Sequence, residues 1–247
     1  MKNIFAFEQK EDFERFQGIV ERLSDKLTAY EKILRENYDL CDLPKAIVWT
    51  TNEIATSVFS NVPIPAYTNK DIIYLSPELS VWRNIFLEQL EGHELPHIIE
   101  YYESFSEDQL LCILAHELTH HSDLFLDEFE EEREDSIWFE EGMCDYLSRK
   151  LVLDDKEFKK ITSVEEELLE LFKEKYGQHS LDKFGSASYQ GTMTSIMVNY
   201  WRSFSAITFL VEKRYDNDIK AVFDEYHKWN KEGRKVPLTT FFDLEGY

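Results

Sequence analysis

An apolar run that ends in a pair of histidines constrains this chain more than any other feature. Residues Leu110–Ala115 are all apolar, and the next five residues, His116–His120, have the pattern H-E-x-x-H. An uninterrupted apolar run before such a pattern predicts a buried helix. Residues four apart share one face of a helix, so both imidazoles could bind one zinc ion. Glu117 lies beside them, placed to hold a water molecule at the metal.

A third metal ligand is expected on a different helix. A catalytic zinc site has three protein ligands and one open position for water. Glu141 lies on the next predicted helix, and twenty residues separate it from His120. Asp145 follows four residues after Glu141, on the same helical face, where its carboxylate could accept the remaining N–H of a zinc-bound histidine. The sequence therefore predicts a zinc site made of two histidines and one glutamate.

The two segments together resemble the gluzincins, the thermolysin-like branch of the zinc metallopeptidases. H-E-x-x-H is followed by a short acidic connection and then by E-x-x-x-D, and Trp138–Tyr146 is similar to the W-x-x-E-G-x-A-x-Y segment of aminopeptidase-related gluzincins. The resemblance covers about residues 106–152. It implies an α+β, zincin-like fold and the following roles: zinc ligands His116, His120 and Glu141, general base Glu117, and Asp145 as support for a histidine ligand.

A tyrosine is expected to face the metal from a later helix. Residues Tyr200–Leu210 resemble the late gluzincin helix that carries such a tyrosine, which makes Tyr200 a candidate to stabilise the oxyanion. Tyr189 is the main alternative, and simple packing is another, because the chain has 13 Tyr and 18 Phe. The G-x-M-E-N exopeptidase motif is absent, and Cys144 stands where the family usually has Ala. Both endopeptidase and exopeptidase activity therefore stay open.

The other histidines and cysteines have simpler interpretations. His121 is expected to be solvated or to support the site, because it points about 100° away from His120 on a helix. The acidic segment 127–135 is expected to be a solvated loop, since it lacks the alternating ligands and glycine turn of a calcium site. Four further residues are expected to be packed thiols or surface histidines: Cys112, Cys144, His179 and His227.

Composition favours a mostly helical globular protein, and the resemblance implies a single catalytic domain over residues 1–247. The chain is 43% hydrophobic and contains only 8 Gly and 6 Pro, a balance that is unusual for a sandwich or a barrel. We expect an N-terminal lobe of about residues 1–125, which holds a small mixed or antiparallel sheet and the H-E-x-x-H helix. A C-terminal helical lobe of about residues 126–247 should follow.

Charge and hydropathy limit the partners. A formal net charge of −22 repels phosphate backbones, so nucleic acid is not expected as a partner. No apolar run approaches the roughly 20 residues of a membrane helix, and no signal peptide is expected at the N-terminus. The three cysteines are widely spaced and odd in number, which favours reduced thiols and a cytoplasmic location.

Local patterns predict most of the elements. Ser106 should cap the motif helix, with Gln109 completing a capping box. Expected strands are 46–50 and a hairpin of 62–67 with 71–75, and expected helices are 10–37, 78–90, 95–102, 106–120, 136–153, 163–176 and two or three more within 192–231. Residues 178–191 are expected to form a loop.

Three functions are compatible with these features. The first is a zinc metallopeptidase that acts on peptide or protein substrates. The second is a regulatory H-E-x-x-H protein that cleaves one dedicated protein partner, although no helix-turn-helix segment is evident beside the motif. The third is a zincin fold that binds metal without turnover, which the presence of Glu117 disfavours because a scaffold needs no base there.

Overall fold

A computed structural model describes residues 1–129 and 135–244, apart from the side chain of Ser186. Most of the acidic segment, residues 130–134, thus lies outside the described residues. The chain folds into two compact units. Unit 1 comprises Met1–Asp123 and Leu147–Asp154, and unit 2 comprises Leu124–Tyr146 and Asp155–Tyr247. None of the helices in the described ranges combines the length and the apolar character needed to cross a membrane.

The protein is mostly helical. Its helices are α1 (Lys10–Asn37), α2 (Asn52–Ile54), α3 (Leu79–Glu88), α4 (Pro96–Glu103), α5 (Glu107–Thr119), α6 (Ile137–Val152), α7 (Asp155–Tyr176), α8 (Met193–Phe209), α9 (Ile219–Lys231) and α10 (Leu238–Phe241). π-Helical turns extend α2 and α8, and two short 3-10 turns lie in the expected loop 178–191. α7 begins eight residues earlier than its expected start at 163, and α2 was not expected.

Unit 1 is built on a mixed sheet with the strand order β1-β2-β4-β3. Its strands are β1 (Lys2–Ala6), β2 (Ala46–Thr50), β3 (Ala66–Thr68) and β4 (Ile72–Leu75). β2 pairs in parallel with β1 and with β4, whereas β3 and β4 form an antiparallel hairpin. All five residues of β2 are buried, as expected for a strand in the interior of a sheet.

Two of these strands differ from the expectation. β3 is shorter than predicted, because residues 62–65 do not pair with β4. β1 was not expected, because its sequence has no alternation of apolar and polar positions. In the structure, four of its five residues are exposed. β1 is a strand because it pairs with β2, and the pattern of its own residues does not predict this pairing.

α1 lies alongside α5 within unit 1. Seven apolar or aromatic side chains at three- and four-residue steps of α1 are buried, which gives the helix one apolar face. Arg22 donates two hydrogen bonds to Glu107, at 2.6 and 2.9 Å, and Lys26 pairs with Asp108 at 2.6 Å. Arg22 and Lys26 lie one turn apart, and their partners are the first two residues of α5, so α1 is paired with the start of the motif helix.

Unit 2 has an aromatic core. Phe139 of α6 stacks on Tyr226 of α9 with ring centroids 4.2 Å apart, and on Phe242 at 5.9 Å. Phe172 of α7 stacks on Trp201 of α8 at 6.5 Å. All five rings are nearly inaccessible to solvent, so they hold α6 against α9 and α7 against α8.

Candidate metal centre

The motif helix α5 begins as its sequence predicts. The backbone N–H of Ser106 donates to Gln109 Oε1 at 2.7 Å, and Ser106 Oγ accepts from the backbone N–H of Asp108 at 3.3 Å. The capping box is therefore confirmed. The helix ends at Thr119, and His120 caps it with φ −55° and ψ −19°, still in the helical region. This conformation keeps His120 one turn above His116.

The two residues between Glu117 and His120 face the protein interior. Leu118 and Thr119 have no exposed surface. Thr119 Oγ1 donates to the carbonyl of Ala115 at 2.7 Å, so the hydroxyl of Tyr30, 2.7 Å away, donates to Thr119 Oγ1. These contacts fix the rotation of α5 about its axis, and that rotation determines which way the two histidines point.

The two histidine rings lie close enough together to bind one metal ion. His116 Nε2 and His120 Nε2 are 3.1 Å apart. Zinc–nitrogen bonds of about 2.0–2.1 Å in a tetrahedral site place two nitrogen ligands roughly 3.3 Å apart, close to this separation. His116 and Glu117 are each 8% exposed, and His120 is half-buried. The pair therefore has the spacing and the limited solvent access of a metal site.

Glu141 completes a group of three residues that could hold a metal ion. One carboxylate oxygen of Glu141 and one ring nitrogen from each histidine lie within 4.8 Å of one another. Two imidazoles and a carboxylate are a donor set that suits zinc, and they leave a fourth position for water or substrate. Asp145 lies one turn after Glu141 on α6 and is buried, 8% exposed. Its hydrogen bond to a histidine ligand stays a prediction.

Both candidate tyrosines lie next to Glu141. The Tyr189 hydroxyl donates to Glu141 Oε1 at 3.3 Å, and the hydroxyls of Tyr189 and Tyr200 are 2.8 Å apart. The buried ring of Phe184 packs against both tyrosines, with centroids 6.0 and 5.2 Å away. Tyr189 thus contacts the predicted ligand directly, and its hydroxyl also contacts that of Tyr200. The role of Tyr200 at an oxyanion stays a prediction.

Gly142, next to Glu141, lets α6 and α8 approach closely. A Cβ atom at Gly142 would lie 2.5 Å from the carbonyl oxygen of Ser203 and 2.8 Å from Ile207. No side chain fits at that distance, because ordinary contacts begin near 3.4 Å. Ser203 lies one turn after Tyr200 on α8, so the close approach also places Tyr200 beside α6.

His121 supports the segment that follows the motif. It is 9% exposed, and its Nε2 lies 2.8 Å from the hydroxyl of Thr68 in β3. The tautomer of His121 decides which atom is the donor in this contact. Burial, and to a lesser extent the neighbouring His120, lowers the pKa of His121 to about 4. His121 is therefore neutral at physiological pH and is not solvated, so the supporting role is the one observed.

The remaining histidines and cysteines have structural contacts. Cys112 and Cys144 are buried free thiols, as expected. His179 and His227 are half-buried rather than on the open surface, because each has a hydrogen bond: His179 Nε2 lies 2.9 Å from Asn199 Oδ1, and His227 Nε2 donates to the carbonyl of Leu124 at 2.7 Å.

The ends of the acidic segment are bound by one arginine. Arg234 donates to Asp127 at 2.6 Å and to Asp135 at 3.0 Å. Both flanking carboxylates thus bind the guanidinium group of Arg234.

Two features of the site were not predicted, the close approach at Gly142 and the contact between Tyr189 and Glu141. Gly142 could have been found from the sequence, because a glycine in the middle of a helix usually marks a close approach. The contact of Tyr189 with Glu141 had no such signal, since 48 residues separate them and Tyr189 lies in an expected loop. Comparisons with protein-family models, with curated proteins and with solved structures gave no match to this chain.

Proposed function

We propose that this protein is a zinc-dependent peptidase with a gluzincin-like site, in which His116, His120 and Glu141 bind the metal. The observation that supports this most directly is the grouping of their three ligand atoms within 4.8 Å, on residues that form H-E-x-x-H and a following glutamate. The 3.1 Å separation of the two Nε2 atoms adds support. The zincin-like fold and membership of the gluzincins are part of the proposal.

Each polar residue of the site has a defined task in the proposed reaction. Zinc, when bound, would supply a Lewis acid that polarises the scissile carbonyl and acidifies water. Glu117, which is buried beside the histidines, accepts the proton of the attacking water and passes it to the leaving amine. Asp145 accepts the second N–H of a ligand histidine and holds its tautomer. Tyr200 or Tyr189 donates a hydrogen bond to the developing oxyanion.

The proposed substrate is an extended peptide or a segment of a protein. β3 is at the edge of the sheet, so backbone groups on its outer side are available to pair with an added strand. His121 of the segment after the motif is hydrogen-bonded to Thr68 of β3, which ties this edge to the helix of the metal ligands. A cytoplasmic location is also proposed, because the three cysteines are free thiols.

Metal analysis and two variants test the proposal. The purified protein should bind about one zinc per chain, and His116→Ala should lose it, because a site with two remaining ligands binds zinc weakly. Glu117→Gln should keep the zinc but lose hydrolysis of a peptide library by a factor of at least about 100.

The outcomes separate the alternatives. A chain that binds no zinc when zinc is supplied would refute both zinc-enzyme functions. Zinc binding without cleavage of any peptide or protein would support a metal-binding scaffold. Equal activity of the wild type and Glu117→Gln would remove Glu117 from the mechanism.

A further inference from the structure

The hairpin of β3 and β4 carries aromatic rings on one face. Tyr67 of β3 is directly opposite Tyr74 of β4, and their rings stack with centroids 4.7 Å apart. Phe59, at the end of the π-helical turn that extends α2, packs against Tyr74 at 5.1 Å and is 41% exposed. Tyr67 and Tyr74 are half-buried, whereas Ile73 and Leu75, which alternate with Tyr74 in β4, have no exposed surface. This aromatic row of Phe59, Tyr74 and Tyr67 therefore lies on the more accessible face of the hairpin and reaches its edge strand.

The backbone of β3 shows which of its residues can pair with an added strand. The N–H of Asn69 donates to the carbonyl of Ile72 in β4 at 3.0 Å. Hydrogen-bonded positions alternate along an antiparallel strand, so Tyr67, two residues before Asn69, also directs its N–H and C=O groups toward β4. The N–H and C=O groups of Ala66 and Thr68 consequently point away from β4, on the outer side of the sheet.

This alternation determines what an added strand would place opposite Tyr67. An antiparallel strand that exchanges hydrogen bonds with Ala66 and Thr68 forms a non-hydrogen-bonded pair at Tyr67, the kind in which the Cα atoms are only about 4.5 Å apart. Side chains directly opposite each other share one face of the sheet and contact each other. Neighbouring strands are about 4.8 Å apart, and the rings of Tyr67 and Tyr74 have this spacing. An aromatic side chain at that position would extend the aromatic row by one ring.

The same edge strand contacts the segment that follows the motif helix. Thr68 Oγ1 lies 2.8 Å from Nε2 of His121, the residue after the predicted ligand His120. Thr68 and Tyr67 lie on opposite faces of the sheet, because consecutive residues of a strand alternate. A peptide added to this edge would thus direct alternate side chains to the aromatic row and to the face that carries Thr68.

We propose that Tyr67 is a specificity-determining residue, which selects extended peptides with an aromatic side chain opposite it. The inference rests on the proposed function and deepens it, since it names the class of peptide that the site accepts. An aromatic pair across two strands is more favourable than a pair of an aromatic residue with alanine, which corresponds to a preference of up to about 5-fold. The ring of Tyr67 provides this preference, because its hydroxyl is enclosed and has no hydrogen-bond partner in the part of the chain that the structure describes.

Two substitutions separate the ring of Tyr67 from its hydroxyl. Tyr67→Thr removes the ring but keeps a residue that favours strands, whereas Tyr67→Phe is the matched control that keeps the ring. Binding is measured by fluorescence anisotropy with two short labelled peptides that differ only in a central Tyr or Ala, in the Glu117→Gln background so that neither is cleaved. Proteins with Tyr67 or with Tyr67→Phe should prefer the Tyr peptide by up to about 5-fold, and in Tyr67→Thr this ratio should fall toward 1.

Cleavage by the zinc-loaded protein with an intact Glu117 gives a second readout. The ratio of kcat/KM for the Tyr and Ala peptides should follow the binding ratio in each variant. A general loss of structure would lower both values of kcat/KM and leave their ratio unchanged. The ratio therefore reports specificity and not stability.

The results separate the role of Tyr67 from the proposed function. The same preference in Tyr67→Thr as in the wild type would overturn the role of Tyr67, and cleavage of either peptide would still support a peptidase. No preference for the Tyr peptide in the protein that keeps Tyr67 would overturn the proposal as well. A preference in binding that Tyr67→Thr removes, without cleavage of any peptide, would refute the peptidase and keep Tyr67 as a residue that selects bound peptides.

Discussion

Replacing Gly142 by alanine should destabilise the protein, although alanine favours helices. The new Cβ would lie 2.5 Å from the carbonyl oxygen of Ser203, whereas ordinary contacts begin near 3.4 Å. α6 and α8 would have to separate by about 0.9 Å, the difference between these two distances. The atoms that obstruct the methyl group belong to a helix backbone, which cannot rotate out of the way as a flexible side chain can.

The magnitude follows from two opposing effects. Overpacking a well-packed interior costs about 1–3 kcal/mol, and contact with backbone places this site in the upper part of that range. Exchanging glycine for alanine inside a helix recovers about 0.5–1 kcal/mol. The free energy of unfolding of Gly142→Ala should therefore fall by about 1–2 kcal/mol.

Gly18 offers a matched control in another helix. Its Cβ would meet only Arg22 Nη1, at 3.4 Å, which is an ordinary van der Waals contact. Gly18→Ala should raise the free energy of unfolding by about 0.5–1 kcal/mol, because only the helix preference changes. The two variants should thus differ in sign.

Urea unfolding followed by far-ultraviolet circular dichroism measures both variants. If Gly142→Ala proved as stable as the wild type or more stable, the close approach of α6 and α8 would be refuted. The same variant should also weaken zinc binding, because Gly142 is next to Glu141 and a shift of α6 would move that predicted ligand. If Gly142→Ala were destabilised but bound zinc as tightly as the wild type, the close packing at Gly142 would not affect the metal site.

Two further predictions concern the contacts between α1 and α5. Tyr30→Phe should lower the free energy of unfolding by about 1–2 kcal/mol, because it removes a buried donor to Thr119; an unchanged urea midpoint would contradict this. The hydrogen bonds from Arg22 lower the pKa of Glu107, so the ion pair stabilises the fold above the unfolded-state pKa and stops doing so as pH falls through the folded-state value. Arg22→Ala should raise the pKa of Glu107 toward its ordinary value in an NMR titration. The variant should be less stable than the wild type near neutral pH, and this difference should disappear in acid. A Glu107 titration that is identical in both proteins would contradict the pairing.

Sequence patterns correctly predicted the elements that depend on contacts between residues close together in the chain. The expected bounds of α1 are confirmed at Lys10–Asn37, because seven buried side chains recur along one helical face. The capping box at Ser106 is also confirmed, and it could be predicted because Ser106 and Gln109 are only three residues apart. A small mixed sheet is also observed, and its antiparallel hairpin lies near the expected position.

Features that depend on distant residues were beyond the reach of the sequence. β1 is stabilised by pairing with β2, which begins forty residues later, and its own side chains are exposed. Tyr189 contacts Glu141 across 48 residues, and His121 contacts Thr68 across 53. Such contacts are set by tertiary packing, whereas periodicity reports only which face of an element is buried.

The exposed strand β1 keeps the more apolar strand β2 in the interior of the sheet. Its side chains contribute little to the interior, but its backbone covers one side of β2 over the whole of Ala46–Thr50. A chain cleaved after residue 7 would uncover that side and present five consecutive unpaired positions with mostly apolar side chains. Exposed edges of this kind are templates for aggregation. Proteolysis at the N-terminus is therefore expected to cost solubility first, with the metal ligands still in place.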